Sequence, residues 1–133
     1  MPRYSTVAHI WAFVFAFVGL SFTFVPTQTA LLLTKLANAI GLSGDIVFVS
    51  NDLAHILALS LMATLTVLAS TSGSYPLDNI PFIGILVAKF TSVFFFTWMT
   101  ITVCPAWAVC AFGDLFVAVT LLLFRRNKGR YDN

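Results

Sequence analysis

Four long apolar segments, separated by short polar ones, dominate the pattern of this chain. They cover residues 7–25, 46–70, 82–103 and 106–124, and the second would shorten to 52–70 if its helix starts late. Each has about the 20 residues that an α-helix needs to cross roughly 30 Å of hydrocarbon. The pattern therefore predicts four membrane-spanning helices.

A shorter periodic segment, residues 27–41, follows the first span. Apolar side chains repeat at helical spacing on one side of it and polar side chains take another side: Ala30, Leu33, Ala37 and Ile40 against Thr34, Lys35 and Asn38. Gly41 can cap its end. We expect a short amphipathic helix that lies at the outer membrane interface.

Composition agrees with a protein that lives in lipid. Of the 133 residues, 59% are hydrophobic and only 9% are charged, whereas soluble domains carry roughly 25% charged residues. The length suits a single transmembrane domain, residues 1–133, of the all-α class. The first span is not expected to be a cleaved signal peptide, because only Arg3 precedes it and no small-x-small site follows it before Pro26.

The basic residues predict how the chain is oriented. The segment 125–133 follows the fourth span and carries four of the seven basic residues, and Arg3 precedes the first span. Four spans place both ends on one side, and basic flanks favour the cytoplasmic side. We therefore expect both termini in the cytoplasm of a bacterial cell, with the protein in its inner membrane. The connection 70–81, which lacks Lys and Arg, is assigned to the same side.

Two charges lie inside the predicted spans. Lys89 is roughly 10 Å from the cytoplasmic start of its helix, and Asp114 is roughly 16 Å from Arg125. The tight turn at residues 104–106 makes the third and fourth helices neighbours, so the axial offset between the two charges is about 8 Å or less. Lys89 can pair with Asp114 directly or through water, extend to the cytoplasmic headgroups, or serve as a dedicated ligand.

Asp114 is too short to reach the headgroups from its depth. A charge in hydrocarbon is unfavourable, so this carboxyl must be paired, hydrogen-bonded or protonated. A protonatable aspartate in the middle of the membrane suits a proton-coupled carrier. It equally suits a structural clasp between helices.

Three further polar residues are candidates for a ligand or a proton relay. Asp52 and His55 form an i,i+3 pair in "DLAH", which is either a helix cap with a local hydrogen bond or an outward-facing relay in which Asp52 orients His55. His9 lies near the cytoplasmic start of the first helix. Because His9 and His55 lie toward opposite faces of the membrane, a single haem held by both is disfavoured.

Small and aromatic residues indicate how the helices pack. Gly84, Ala88 and Ser92 recur at four-residue spacing, which lets membrane helices approach closely. The 14 Phe residues are expected to face lipid, although a Phe-rich wall could also receive a quinone, a carotenoid or a chlorin. The sequence has no CxxC or other metal-ligand spacing, no phosphate-binding loop and no basic-aromatic surface for nucleic acid.

The order of these segments resembles the DoxX-like small four-helix membrane proteins. The likeness covers about residues 7–126 and includes "FTFVP", "GILVAKFTSVFFF" and "GDLFVAVTLLLFRR", with soft matches at Pro26, Lys89, Ser92 and Asp114. The resemblance implies an up-and-down four-transmembrane-helix bundle. The family takes its name from a subunit of a quinone-linked sulfur-oxidising enzyme, and most of its members have no assigned reaction.

Three classes of function fit these features. The first, which we favour, is a non-catalytic accessory or structural subunit of a larger inner-membrane complex that contacts partner subunits or further copies of itself, lipid or pigment. The second is a quinone-linked redox subunit, with His55, Lys89 and Asp114 near a head-group pocket. The third is a small proton-coupled carrier that uses Asp114. We do not expect the chain to be an enzyme on its own.

Overall fold

The computed structural model describes residues 3–48 and 52–128, except for the side chains of residues 52–55 and 127–128. This part of the chain is all-helical and contains no strand. Its elements, in chain order, are α1 (Tyr4–Phe24), α2 (Pro26–Ala39), α3 (Asp52–Ser74), α4 (Asn79–Thr102), a 3₁₀ turn (Pro105–Trp107) and α5 (Ala108–Lys128).

Four helical segments are long and apolar enough to cross a membrane. They are Tyr4–Phe24, Ile56–Ser74, Asn79–Thr102 and Pro105–Arg126. The predicted all-α class, with four helices long and apolar enough to span a membrane, is thereby confirmed for the described residues. Pro105 begins the fourth segment within the 3₁₀ turn, where the N–H that proline lacks would have no partner in the helix.

The second span begins later than the longer of the two spans predicted for it, residues 46–70. A start at Ile46 is wrong, because residues 46–48 are not helical and α3 begins at Asp52. Gly44 turns the chain with φ +113°, and Ile46 then donates its backbone N–H to Thr34 Oγ1 at 2.9 Å. Ile46 is buried at 3% exposure, so packing against α2 holds this residue outside the helix.

Helix α2 is present where a short helix was predicted, and its buried side agrees with the expected one except at two residues. Ala30 and Ala37 are buried as expected. Ile40 is exposed instead, and Thr34 is buried because its hydroxyl accepts the Ile46 N–H. The helix ends as the sequence suggests: Gly41 has φ +84°, and the Leu42 N–H donates to Ala37 O at 2.9 Å. This is a Schellman cap.

The closest helix pair, α1 and α3, is joined by glycines from both helices. A Cβ at Gly19 of α1 would lie 2.8 Å from Met62 Cβ, and a Cβ at Gly73 of α3 would lie 2.6 Å from the His9 ring. The contacts pair the start of α1 with the end of α3. Small residues at these points let the two backbones approach until side chains interlock.

One apolar core lies where α1, α3, α4 and α5 meet. Its members with 0–2% exposure come from all four helices: Ala8 from α1, Leu65 and Ala69 from α3, Ile85 from α4 and Leu121 from α5. Helix α1 packs against both α3 and α5, whereas α3 and α5 do not meet within the described residues. Helix α4 likewise packs against both α3 and α5, so α1 and α4 share the same two neighbours.

A second core closes the end of the molecule that carries α2. It contains Ala37, Ile46, Ala106 and Trp107. The Trp107 ring stacks on Phe96 with 5.8 Å between ring centroids and meets Phe48 edge-on at 6.1 Å. These contacts fix α2 and the segment after it onto the 3₁₀ turn.

Replacing Gly19 by alanine is expected to lower stability, because the new methyl group would lie 2.8 Å from Met62 Cβ, an atom that cannot move without the α3 backbone. Overpacking of this kind costs about 1–3 kcal/mol. Gly113→Ala is the matched control, since nothing lies within 4 Å of the added methyl. Thermal unfolding in detergent should show a lower Tm for Gly19→Ala alone. Equal Tm values for both variants would contradict the close approach of α1 and α3.

Candidate functional site: a buried ion pair between membrane helices

Lys89 and Asp114 form a direct ion pair between α4 and α5. Lys89 Nζ donates to Asp114 Oδ1 at 2.7 Å, and the two side chains are 4% and 17% exposed. It is the one ion pair among the side chains that the structure describes. The structure thus brings together the two charges whose pairing the sequence left open, and Lys89 does not extend to the headgroups.

A third helix completes the surroundings of Lys89. The Phe15 ring of α1 lies 4.7 Å from Lys89 Nζ, measured to the ring centroid. Phe15 is itself 3% exposed. An ammonium group over an aromatic face is attracted by the ring quadrupole, and the attraction is larger where water is absent. Lys89 therefore contacts a carboxylate on one neighbouring helix and an aromatic ring on another.

Lys89 and Asp114 neutralise each other, and the second carboxylate oxygen of Asp114 is left without a donor from the described residues. Oδ1 of Asp114 accepts from Lys89, whereas Oδ2 has no protein donor within the described residues. At 17% exposure, Asp114 is the more accessible partner. Paired charges are tolerated in a low-dielectric interior far better than separated ones. The arrangement suits a structural clasp, and its outer oxygen could also accept a hydrogen bond or a proton.

Several hydroxyl groups within the spans are satisfied locally. Thr23, Thr66, Thr97 and Thr100 each donate to the backbone carbonyl four residues earlier, at 2.7–2.8 Å. The Trp11 indole donates to Thr120 Oγ1 at 3.1 Å, which joins α1 to α5. These hydroxyl groups and the Trp11 indole are therefore already engaged within the chain.

His9 lies at the end of the molecule where α1 begins and α3 ends. Its Nδ1 donates to Ser5 O at 2.8 Å and its Nε2 lies 3.5 Å from Ser74 Oγ. The ring is exposed. A neighbouring hydrogen bond joins the Tyr4 hydroxyl to Ser72 Oγ. His9 thus makes local contacts that tie α1 to α3.

The side chains of Asp52 and His55 lie outside the described residues, so their roles stay predictions. Their backbone forms the first turn of α3. His55 precedes Ser74, the neighbour of His9, by 19 residues, which corresponds to roughly 28 Å along the helix. The structure therefore does not bring His9 and His55 together.

Neither a metal centre nor an enclosed ligand site is evident in the part of the chain that the structure describes. It contains no group of three or more His, Cys, Asp or Glu side chains that could hold a metal ion. A groove of about 420 Å³ lies between α2 and residues 45–48. Its polar side chains are Thr27, Thr34 and Asp45, and the Thr34 hydroxyl is already bonded to Ile46. The groove lacks the converging polar groups of a catalytic site.

The small residues Gly84, Ala88 and Ser92, which the sequence predicts as a helix-packing surface, lie partly against α3. A Cβ at Gly84 would lie 3.2 Å from Leu68 Cδ1, and Ala88 packs against the main core. Ser92 is half-buried.

The bulky aromatic side chains mostly point outward, and the most exposed include Phe13, Phe17, Phe24, Phe94, Phe95, Trp98, Phe112 and Phe116.

Comparison of this chain with family models, with curated proteins and with solved structures found no match in any of the three. The resemblance to DoxX-like proteins stays a prediction.

Arg125 belongs to a polar cluster that sequence reasoning missed. Its Nη2 donates to Asn79 Oδ1 and to the backbone carbonyl of Asp78, the latter at 3.3 Å. Its guanidinium carbon lies 4.0 Å from the centroid of the Phe82 ring. In the sequence, Arg125 reads as one more basic flank of the fourth span. The polar residues Asp78 and Asn79, just before the third span, were the sequence signal that Arg125 has a partner there.

Removing either partner of the ion pair is expected to destabilise the protein strongly. Lys89→Met leaves the Asp114 carboxylate without its counter-charge, and Asp114→Leu leaves the Lys89 ammonium group without its counter-charge. Breaking a buried pair in this way costs about 3–5 kcal/mol. The double variant should lose much less than the sum of the two, and unfolding titrations of all four proteins would measure the coupling.

Lys35→Met is the matched control for these variants, because it removes an exposed lysine from α2 that has no ion-pair partner among the described residues. Its unfolding free energy should stay within about 0.5 kcal/mol of the parent value. Additive losses in the double variant would contradict a direct Lys89–Asp114 interaction.

Proposed function

We propose that the four apolar helices cross a bacterial inner membrane as an up-and-down bundle with both termini in the cytoplasm. Contacts of Arg125 with Asn79 and with the Tyr4 ring gather the start of α1, the start of α4 and the end of α5 at one end. Arg3 and Arg126 belong to the same end. A basic cluster supports the cytoplasmic assignment.

The opposite end carries little net charge, which favours the same orientation. Lys35 and Asp45 are the charged side chains described there. Helix α2 at this end exposes Leu31, Leu32 and Leu36, as an interfacial helix in contact with lipid would. We therefore place α2 at the outer surface of the membrane.

Within this topology the protein acts as a non-catalytic accessory subunit of a larger membrane complex. The Lys89–Asp114 pair carries this proposal, because the two charges inside the spans neutralise each other instead of facing a cavity. The remaining surface offers bulky apolar groups, among them Phe94, Phe95 and Trp98, to lipid, to pigment or to the helices of partner subunits. If the DoxX-like resemblance holds, the partner would be a quinone-linked redox enzyme.

A proton-coupled carrier is the second candidate, and one observation favours it. Asp114 is 17% exposed and keeps Oδ2 without a protein donor, so a proton could reach this carboxyl from outside the Lys89 contact. Transport that disappears in Asp114→Asn while assembly stays intact would favour this function over the first.

The orientation predicts which of two introduced cysteines an impermeant thiol reagent will label in intact cells. Leu77 lies between α3 and α4 and Val47 lies between α2 and α3, and they are 83% and 71% exposed. With Cys104 and Cys110 replaced, Val47→Cys should react readily and Leu77→Cys only after permeabilisation. The reverse pattern would overturn the topology.

The accessory role predicts that detergent extracts the protein from its native membranes together with larger subunits. Native mass spectrometry of the detergent extract should show it in a fixed ratio to those subunits, and an absorption spectrum of the same sample would reveal any bound pigment. A homo-oligomer without chromophore and without other subunits would contradict the accessory role and favour the carrier.

A further inference from the structure

The basic end of the molecule holds more positive charge than its own acid neutralises. Arg3, Arg125 and Arg126 lie there, and Asp78 is the one carboxylate among the described side chains at this end. Asp78 uses Oδ1 to accept the Ile80 N–H at 3.0 Å and so caps α4. None of these arginines forms an ion pair within the described residues. Among the described side chains at this end, three arginines are therefore balanced by one carboxylate.

Arg125 is held in a fixed position that suits an anion. Its guanidinium bonds to Asn79 and to the Asp78 carbonyl, lies over the Phe82 ring at 4.0 Å and approaches the Tyr4 ring at 5.8 Å. A planar guanidinium that is already oriented loses little freedom when it binds a phosphate.

One donor of this guanidinium is left without an acceptor. Arg125 Nη1 is buried and has no hydrogen-bond partner in the described structure, which is unfavourable for a cationic donor. The side chain as a whole is only half-buried, so an oxyanion can approach the exposed part of Arg125, and it reaches Nη1 once the atoms that cover this nitrogen move. A phosphate oxygen would satisfy the donor and supply the missing negative charge.

We infer that this end binds the phosphate of an anionic phospholipid headgroup, with Arg125 as its principal ligand and Arg126 and Arg3 adding positive charge. A lipid fits better than a free anion because Arg125 directly follows the apolar run of α5, where headgroups begin. The exposed Ile80 beside it, at 78%, offers an apolar surface for acyl chains. Basic sites between membrane helices bind anionic headgroups in this way.

Native mass spectrometry tests this site with phosphatidylglycerol and phosphatidylcholine titrated separately onto the detergent-solubilised full chain. The parent protein should retain phosphatidylglycerol in preference. Arg125→Gln should weaken this retention about fivefold or more and leave phosphatidylcholine unaffected. Lys35→Gln, which removes a cation at the opposite end, is the control and should match the parent. Equal retention of both lipids by the parent would overturn the inference.

A second variant keeps the test decisive if Arg125→Gln does not fold. Asn79→Ala leaves the charge of Arg125 in place but removes the acceptor that orients it, so phosphatidylglycerol retention should again fall while phosphatidylcholine retention does not change. Unchanged retention in Asn79→Ala would count against a positioned arginine. Displacement of the lipid by millimolar inorganic phosphate would show a free-anion site and overturn the lipid assignment.

Discussion

The contact between Lys89 and Asp114 is the constraint on which the rest of this structure depends. Neither charge is stable alone in hydrocarbon, so α4 and α5 must present them to each other at 2.7 Å. The 3₁₀ turn at Pro105–Trp107 supports this register, because so short a connection prevents α4 and α5 from sliding along each other. Phe15 then brings α1 against the ammonium group. A pair of charges thus determines how three apolar helices align, which their uniform hydrophobicity could not do.

Packing around the ion pair is achieved with small residues and aromatic rings. Gly19 and Gly73 bring α1 and α3 together on one side, and Trp107 closes the end that carries α2. In lipid the apolar side chains gain little from leaving their surroundings, so close contact and hydrogen bonds must hold the helices. This explains why the two charges and many of the hydroxyl groups inside the spans are bonded within the chain, and why so many large apolar side chains remain on its outside.

Much of the fold was predictable because apolar length is a direct consequence of membrane thickness. The all-α class, the four spans and the Gly41 cap could be read from the pattern. The start of α3 could not, since Ile46 is as apolar as a span residue, and its hydrogen bond to Thr34 and its burial against α2 keep it out of the helix. The role of Phe15 beside Lys89 and the Arg125–Asn79 contact also escaped prediction, because both join residues far apart in the sequence.

The most direct test of this account is the distance between Lys89 and Asp114 in a bilayer. Solid-state NMR on the reconstituted protein can measure the dipolar coupling between the Lys89 ammonium nitrogen and the Asp114 carboxyl carbon. A charge-assisted hydrogen bond between them predicts a separation below about 4 Å. No measurable coupling, together with contact between the Lys89 ammonium group and lipid phosphate, would show that Lys89 extends to the headgroups and would contradict the account.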